Sequence, residues 1–266
     1  MAGIPKDRLY LIYPETDGEP MAENTLQFEW IVLIKLGLEA CFVHQADVFI
    51  AGDLFWYPVE GRPDIRLAPD VLVVLGRPKG HRGSYLQWLE DNIAPQVVFE
   101  ILSPGNRAAE MRKKLAFYER YGVQEYYIYD PDHNRMEGYL RANDSLQPLP
   151  ETALRDWVSP LLDIRMEWTP DTLRLYQADG KRFLSYLELL QFGEEAMAEL
   201  QEKRRLLSQA QRHLMEVEAR ALQETQRANQ ETQRANQETQ RANQETQRAQ
   251  RLAEKLRQLG IDPDET

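Results

Sequence analysis

Apolar and polar positions repeat with different periods along this chain, and each change of period marks a predicted element. From Thr25 to about Cys41 the spacing is helical: Leu26, Trp30, Leu33 and Ile34 form a stripe, Leu38 lies close to it, and Asn24 stands where an N-cap belongs. That pattern predicts a helix laid over a core. The runs Asp47–Ala51 and Leu54–Tyr57, bounded by Gly52-Asp53, Pro58 and Gly61, predict short strands. Asp70–Leu75 is nearly all apolar, which predicts a strand buried on both faces. Gln96–Leu102 follows Pro95 and is apolar except for Glu100. Ser103-Pro104-Gly105-Asn106 closes it, and Asn106 can cap a helix reaching about Tyr121, with Gly122 at its C-terminal end. Glu125–Tyr129, stopped by Asp130-Pro131, and Arg135–Arg141 predict two more strands. Ser145–Asp163 reads as loop, while Ile164–Trp168, Leu173–Gln177 and Arg182–Leu184, the last two separated by Asp179-Gly180, predict terminal hairpin strands. A helix then begins near Ser185. The order predicts a mixed α/β fold around a central sheet flanked by helices.

The last third of the chain has another period altogether. Gln223-Glu-Thr-Gln-Arg-Ala-Asn229 recurs unchanged at 230–236 and 237–243, and with one change at 244–250. Seven residues is the coiled-coil repeat. Leu207, Leu214, Ala221, Ala228, Ala235, Ala242, Ala249 and Leu256 share one heptad position, and Thr225, Thr232, Thr239 and Thr246 stand three residues before an alanine of that row. An alanine–threonine seam buries little, since each Leu-to-Ala exchange removes roughly 2–3 kcal/mol of possible burial. The expectation is a long helix, oligomeric where Leu200, Leu207, Leu214 and Val217 lie and weakly held beyond; a solvated single helix or a disordered tail is the alternative.

Composition narrows the classes. No apolar run among the 266 residues approaches the ~20 that a membrane helix needs. Met1–Tyr13 lacks the pattern of a secretory signal, and a turn is expected at Asp17-Gly18-Glu19-Pro20. The lone Cys41 forms no internal disulfide, so a cytoplasmic location is expected. The net charge of −11, with 20 basic against 29 acidic residues through Glu188, argues against a general nucleic-acid coat protein. The four histidines are scattered, Ser103 lacks a glycine-flanked nucleophile elbow, and Gly76–Gly83 lacks the Gly-Lys-Ser/Thr ending of a P-loop.

What remains is a carboxylate pair. Asp70 and Glu100 each ride on a strand built for burial, where an uncompensated charge costs several kcal/mol or is neutralised. A strand end, a salt bridge or a divalent metal resolves that conflict; Mg²⁺ accepts one or two carboxylates and keeps waters. On the following helix Lys114 lies about 40° from Tyr118 and Lys113 about 140°, taking 100° per residue. Lys114 therefore aims back toward the sheet while Lys113 faces solvent; pairing of Lys114 with Glu110 one turn earlier is the plain alternative. Asp53 and Glu29 are further candidate acids, and Arg77, Lys79 and Arg82 in the glycine-rich loop are candidate phosphate contacts.

These stretches resemble a known family. Pro69-Asp70, Glu100-Ile-Leu-Ser-Pro104, Lys114-Leu-Ala-Phe-Tyr118 and Gly122-Val-Gln-Glu-Tyr-Tyr-Ile-Tyr-Asp-Pro131 look like the Uma-type restriction-endonuclease-like proteins, which have the PD-(D/E)XK nuclease fold and are common in cyanobacteria. The resemblance covers roughly residues 22–141. It implies a restriction-endonuclease-like domain over 1–190, Asp70 and Glu100 as ligands of Mg²⁺ or Mn²⁺, and DNA as substrate. The superfamily pattern wants lysine two places after the glutamate, where this chain has Leu102; Lys114 on the helix would take that role, with Tyr118 orienting it or packing beneath it. The family's Glu-Tyr-Trp stands here as Glu125-Tyr126-Tyr127. The expected whole is this domain, a coiled-coil tail over 191–260 and a flexible end at 261–266, forming a homo-oligomer such as a dimer through either part. A degenerate nuclease fold acting as an interaction module is the rival expectation, and RNA is not separated from DNA by sequence.

Overall fold

A computed structural model describes residues 12–16, 22, 24–106 and 108–258. The expected turn at 17–20 and the flexible end at 261–266 lie outside the described residues, as does most of the segment searched for a signal. The chain divides into two compact units, Met1–Gln191 and Phe192–Thr266.

In the first unit the elements run α1 (Thr25–Cys41), β1 (Val48–Gly52), β2 (Trp56–Tyr57), β3 (Val71–Leu75), β4 (Tyr85–Leu86), β5 (Val97–Ile101), α2 (Ala108–Tyr121), β6 (Glu125–Asp130), β7 (Arg135–Ala142), β8 (Ser145–Pro148), α3 (Glu151–Leu154), β9 (Asp156–Val158), β10 (Arg165–Trp168) and β11 (Leu173–Tyr176). Six strands form the central sheet in the order β1-β3-β5-β6-β7-β8. Within it β5 and β6 are parallel and every other neighbouring pair is antiparallel. The parallel pair demands a crossover, and α2 supplies it. The expected mixed α/β architecture is what the chain adopts.

Alternation along the central strands sorts two cores. Val71, Val73, Val97, Phe99, Tyr127 and Tyr129 turn to the face packed on Ile31, Ile34 and Leu38 of α1. Leu72, Val74, Val98, Tyr126 and Ile128 turn to the opposite face, with Tyr118 of α2, Trp56 and Tyr85. Because a strand's side chains alternate strictly, Asp70 and Glu100 share the parity of the α2 face.

The helix ends have local causes. Asn24 caps α1, its side chain accepting from the Gln27 N–H at 2.8 Å. Gly122 takes φ +99°, a left-handed conformation that glycine adopts without strain, and the Val123 N–H bonds back to the Tyr118 carbonyl at 3.1 Å. Arg141 on β7 adds a charge where the helix dipole is negative, donating to the carbonyls of Glu119 (2.6 Å) and Val123 (2.7 Å). Asn106 Oδ1 accepts from the Ser103 N–H at 2.8 Å and the Ser103 hydroxyl at 3.2 Å, closing the turn after β5.

Two expectations change. Ser145–Asp163 is not loop throughout; it holds β8, α3 and β9. Sparse apolar residues concealed short elements whose pairing partners are distant. Arg182–Leu184 makes one bridge to Tyr176 and no strand, and Phe183 inserts against Gly37 of α1, where a Cβ would meet its ring at 2.0 Å.

Over the described residues the second unit belongs to one helix, α4 (Tyr186–Gln258, 73 residues). Each threonine of the repeat donates its hydroxyl to the alanine carbonyl four residues earlier, Thr225 to Ala221 at 2.9 Å and Thr239 to Ala235 at 2.8 Å among them. The heptad leucines Leu207 and Leu214 are exposed. No helix among the described residues is long and apolar enough to cross a membrane.

Candidate active site

The register of the central sheet builds the site. Val71 pairs with Phe99, so one step further along the antiparallel ladder Asp70 falls opposite Glu100. Gly52 pairs with Val71, so the same step outward sets Asp53 beside Asp70. Three acids from β1, β3 and β5 thus stand in one row. Asp53 leaves its strand with φ +45° and its N–H bonds to the Asp70 carbonyl at 3.2 Å, so it is both the turn residue and a neighbour of the pair.

Glu100 is the most enclosed of them, 1% exposed, and it is held from α2. Lys114 Nζ donates to one carboxylate oxygen at 2.8 Å, and the Tyr118 hydroxyl donates to the other through a short hydrogen bond. Helix geometry puts both donors on the same side, Lys114 one turn before Tyr118. Lys114 therefore bridges to Glu100 and not to Glu110 as its ion-pair partner. Tyr118 does not orient Lys114 directly; the two meet through the carboxylate they share.

Asp70 is 8% exposed, and its Oδ2 accepts from the Ile101 N–H at 2.6 Å. The carbonyl of the same residue accepts from Gln27 Nε2 at 2.9 Å. The backbone of Ile101 is thereby held at both its polar groups, the N–H by Asp70 just before β3 and the carbonyl by Gln27 of α1. Gln27 was missed in the sequence because it is polar. Its signal was positional: Gln27, Ile31, Ile34 and Leu38 are the buried face of α1, so the expected stripe of Leu26, Trp30, Leu33 and Ile34, with Leu38 near it, holds at Ile34 and Leu38 and the face is rotated away from the other three.

Burial, reinforced by the Glu100 charge, holds the Asp70 carboxyl well above the ordinary carboxylate range; Lys114 and the Ile101 N–H oppose this less strongly. For Lys114, burial works against the charged form, but Glu100 and Asp70 outweigh it and the ammonium is held above its usual value. Burial and then the charge of Glu100 push the Tyr118 hydroxyl far up, so it remains a hydrogen-bond donor. The site at neutral pH is a cation and a phenol serving two carboxylates, one of which resists ionisation.

The residues fit a hard divalent cation on their chemistry. Asp70 and Glu100 are adjacent oxygen donors, and a bound cation would offset the burial and the Glu100 charge that raise Asp70. Among the described residues no three His, Cys, Asp or Glu side chains gather into a metal cluster. The fit is accordingly to an ion that takes one or two carboxylates and keeps its waters, as Mg²⁺ does.

The other expected residues lie elsewhere. Glu29 is exposed on α1, outside this row. Arg77, Lys79 and Arg82 are committed within the chain: Arg77 pairs with Glu90 at 2.9 Å and with Asp91, and Arg82 pairs with Glu90 at 2.7 Å while lying 3.9 Å over the Phe49 ring. Lys79 donates to the Phe42 carbonyl. Glu90 and Asp91, further along the chain, pair with the two arginines of a loop that looks cationic in isolation.

A comparison with curated proteins finds no match. Among solved structures, the chain is similar to a putative nuclease belonging to DUF820 from Anabaena variabilis, with 18% identity, a TM-score of 0.41, and coverage of 58% of this chain and 88% of that one. The family described as Uma2, putative restriction endonuclease, matches over residues 24–175. That span is more than half of the chain and contains Asp70, Glu100, Lys114 and Tyr118; the chain belongs to this family.

Proposed function

We propose that the first unit is a metal-dependent endonuclease that hydrolyses DNA phosphodiester bonds. The observation carrying this is Glu100 held between Lys114 and Tyr118 with Asp70 in the next row position. Asp70 and Glu100 would hold Mg²⁺ or Mn²⁺. A divalent cation bound there supplies Lewis-acid polarisation of the phosphoryl oxygen and eases deprotonation of water. Lys114 contributes a fixed positive charge beside the phosphate, which favours the charge that develops as a water oxygen bonds to phosphorus and an ester P–O bond breaks. Tyr118 is a positioning residue: it fixes the Glu100 carboxylate so that Lys114 is anchored without being neutralised twice. The Gln27–Ile101–Asp70 clamp keeps the strand end from slipping out of register.

The test is cleavage of plasmid and of short DNA and RNA duplexes with Mg²⁺ or Mn²⁺. Asp70→Asn, Glu100→Gln and Lys114→Met should each lower the rate by about 10²-fold or more, and a chelator should abolish it. Cleavage unchanged in the first two variants overturns the site; RNA cut in preference to DNA overturns the substrate.

A second reading has its own support. Both Glu100 oxygens are already satisfied within the chain, as in an inert buried ion pair, and the family fold would then serve as an interaction module clustered by α4. Absence of nuclease activity across metals, with the full chain oligomeric, would favour it. With a single cysteine in its sequence, which suits a reducing compartment, we place either form in the cytoplasm.

A further inference from the structure

Of the cations first expected to meet phosphate, Arg77 and Arg82 pair with acids and Lys79 with a carbonyl, yet another set is held less tightly. An open groove of about 460 Å³ runs along the flank of α2 that carries Lys113, between that helix and the segment 62–67. Arg62, Arg66, Lys113 and Arg120 line it, with Asp64 as the one acid. Arg62 pairs with Asp64 at 2.6 Å, but both side chains are more than half exposed, and such a pair yields readily to solvent and salt. Arg66 lies 5.0 Å over the Phe55 ring and Arg120 5.4 Å over Tyr121; among the described residues neither they nor Lys113 has an acidic partner. In a chain of net charge −11 this local excess of cations is out of proportion.

The groove is also aromatic. Phe117 and Tyr121 line it, 4.6 Å apart, and both pack on Trp56, at 5.3 and 6.3 Å. Trp56 stacks parallel on Tyr118, whose hydroxyl holds Glu100. The groove's Phe117 and Tyr121 and the carboxylate site's Tyr118 therefore pack on one buried indole. Cations that track a backbone beside rings that accept a base face are the chemistry of single-strand binding. A fully paired duplex offers its phosphates but keeps its base faces stacked inside, so it would use only half of this surface. The volume suits a nucleotide unit.

We propose that this groove binds an unpaired stretch of DNA flanking the phosphate at Lys114, so that overhangs, flaps or frayed ends are the preferred substrates. The phosphates lie against Arg66, Lys113 and Arg120, and a base lies against Phe117 and Tyr121. This rests on the nuclease reading for what happens at Lys114, and the groove is testable without it.

The experiment measures binding of fluorescent DNA by the full chain in chelator, comparing single strands, overhang duplexes and blunt duplexes across a salt series. Wild type should bind the overhang and single strand at least about 10-fold more tightly than the blunt duplex. Lys113→Gln with Arg120→Gln, both at exposed positions, should erase that preference and reduce the salt slope by about 1.4, at ~0.7 per charge for single strands. A 2-aminopurine in the overhang should be quenched by wild type and released by Tyr121→Ala. Equal binding of blunt and overhang DNA, or a double variant with wild-type affinity and slope, overturns the proposal. Glu100→Gln separates it from the reading it rests on: cleavage lost there with groove variants unaltered in binding removes the groove and keeps the nuclease. Groove-dependent binding by a wild type that cuts nothing keeps the groove and removes the nuclease.

Discussion

At Asp70 folding and function pull in opposite directions. Burial and Glu100 raise its carboxyl above the ordinary range, so ionising it costs stability in the folded state. The sign follows from proton counting: between the ordinary and the raised value the folded chain binds more protons, and stability falls as pH rises through that window. Without metal, Asp70→Asn should therefore be more stable than wild type at neutral pH, with the gap narrowing as pH is lowered into the window. A melting series in chelator reads this, at roughly 2–4 °C per kcal/mol relieved for a unit of this size. Added Mg²⁺ should stabilise wild type and not the variant. A variant less stable than wild type at neutral pH would mean that the Ile101 N–H bond outweighs the buried charge. Lys114 was legible in the sequence because a helix fixes angles locally; Gln27 was not, because a buried amide looks like a surface residue until its carbonyl partner is known.

Element by element, the difference between local and tertiary control is clearest in α1. Gly37 sits in the middle of a helix, where alanine is ordinarily preferred by roughly 1 kcal/mol. Phe183, 146 positions later, occupies the space a Cβ would need. Gly37→Ala should lower stability by about 1–3 kcal/mol, read as a lower urea midpoint, and Phe183→Leu should recover part of the loss in the double variant. A raised midpoint in the single variant would mean that helix propensity wins and the contact is loose. The segment 145–163 carries the same lesson: β8, α3 and β9 are too short to announce themselves by period, and the two strands exist because β7 and β10 offer them edges.

For the whole molecule, the domain and tail are separate problems. The first unit closes its own two-sided core, whereas α4 presents Leu200, Leu207 and Leu214 to solvent. Threonine hydroxyls bonded back to alanine carbonyls leave methyl groups as the seam's only apolar supplement to alanine. We expect the full chain to sediment as an oligomer and a chain ending at Gln191 as a monomer, with Leu207→Ala and Leu214→Ala together dissociating the full chain. A monomeric full chain at tens of micromolar would overturn oligomerisation through the tail.

The sequence by itself determined the longer strands, the two main helices, the choice of Lys114 over Lys113 and the heptad tail, because helix and strand periods and caps act over a few residues. The family resemblance rested on the same short segments. Tertiary structure decided what stands next to what: the register aligning Asp53, Asp70 and Glu100, the acids that silence Arg77 and Arg82, and the loop that leaves Arg66 facing α2. Those pairings join residues 8 or more positions apart, and no local period encodes which strand will lie beside which, or at what offset.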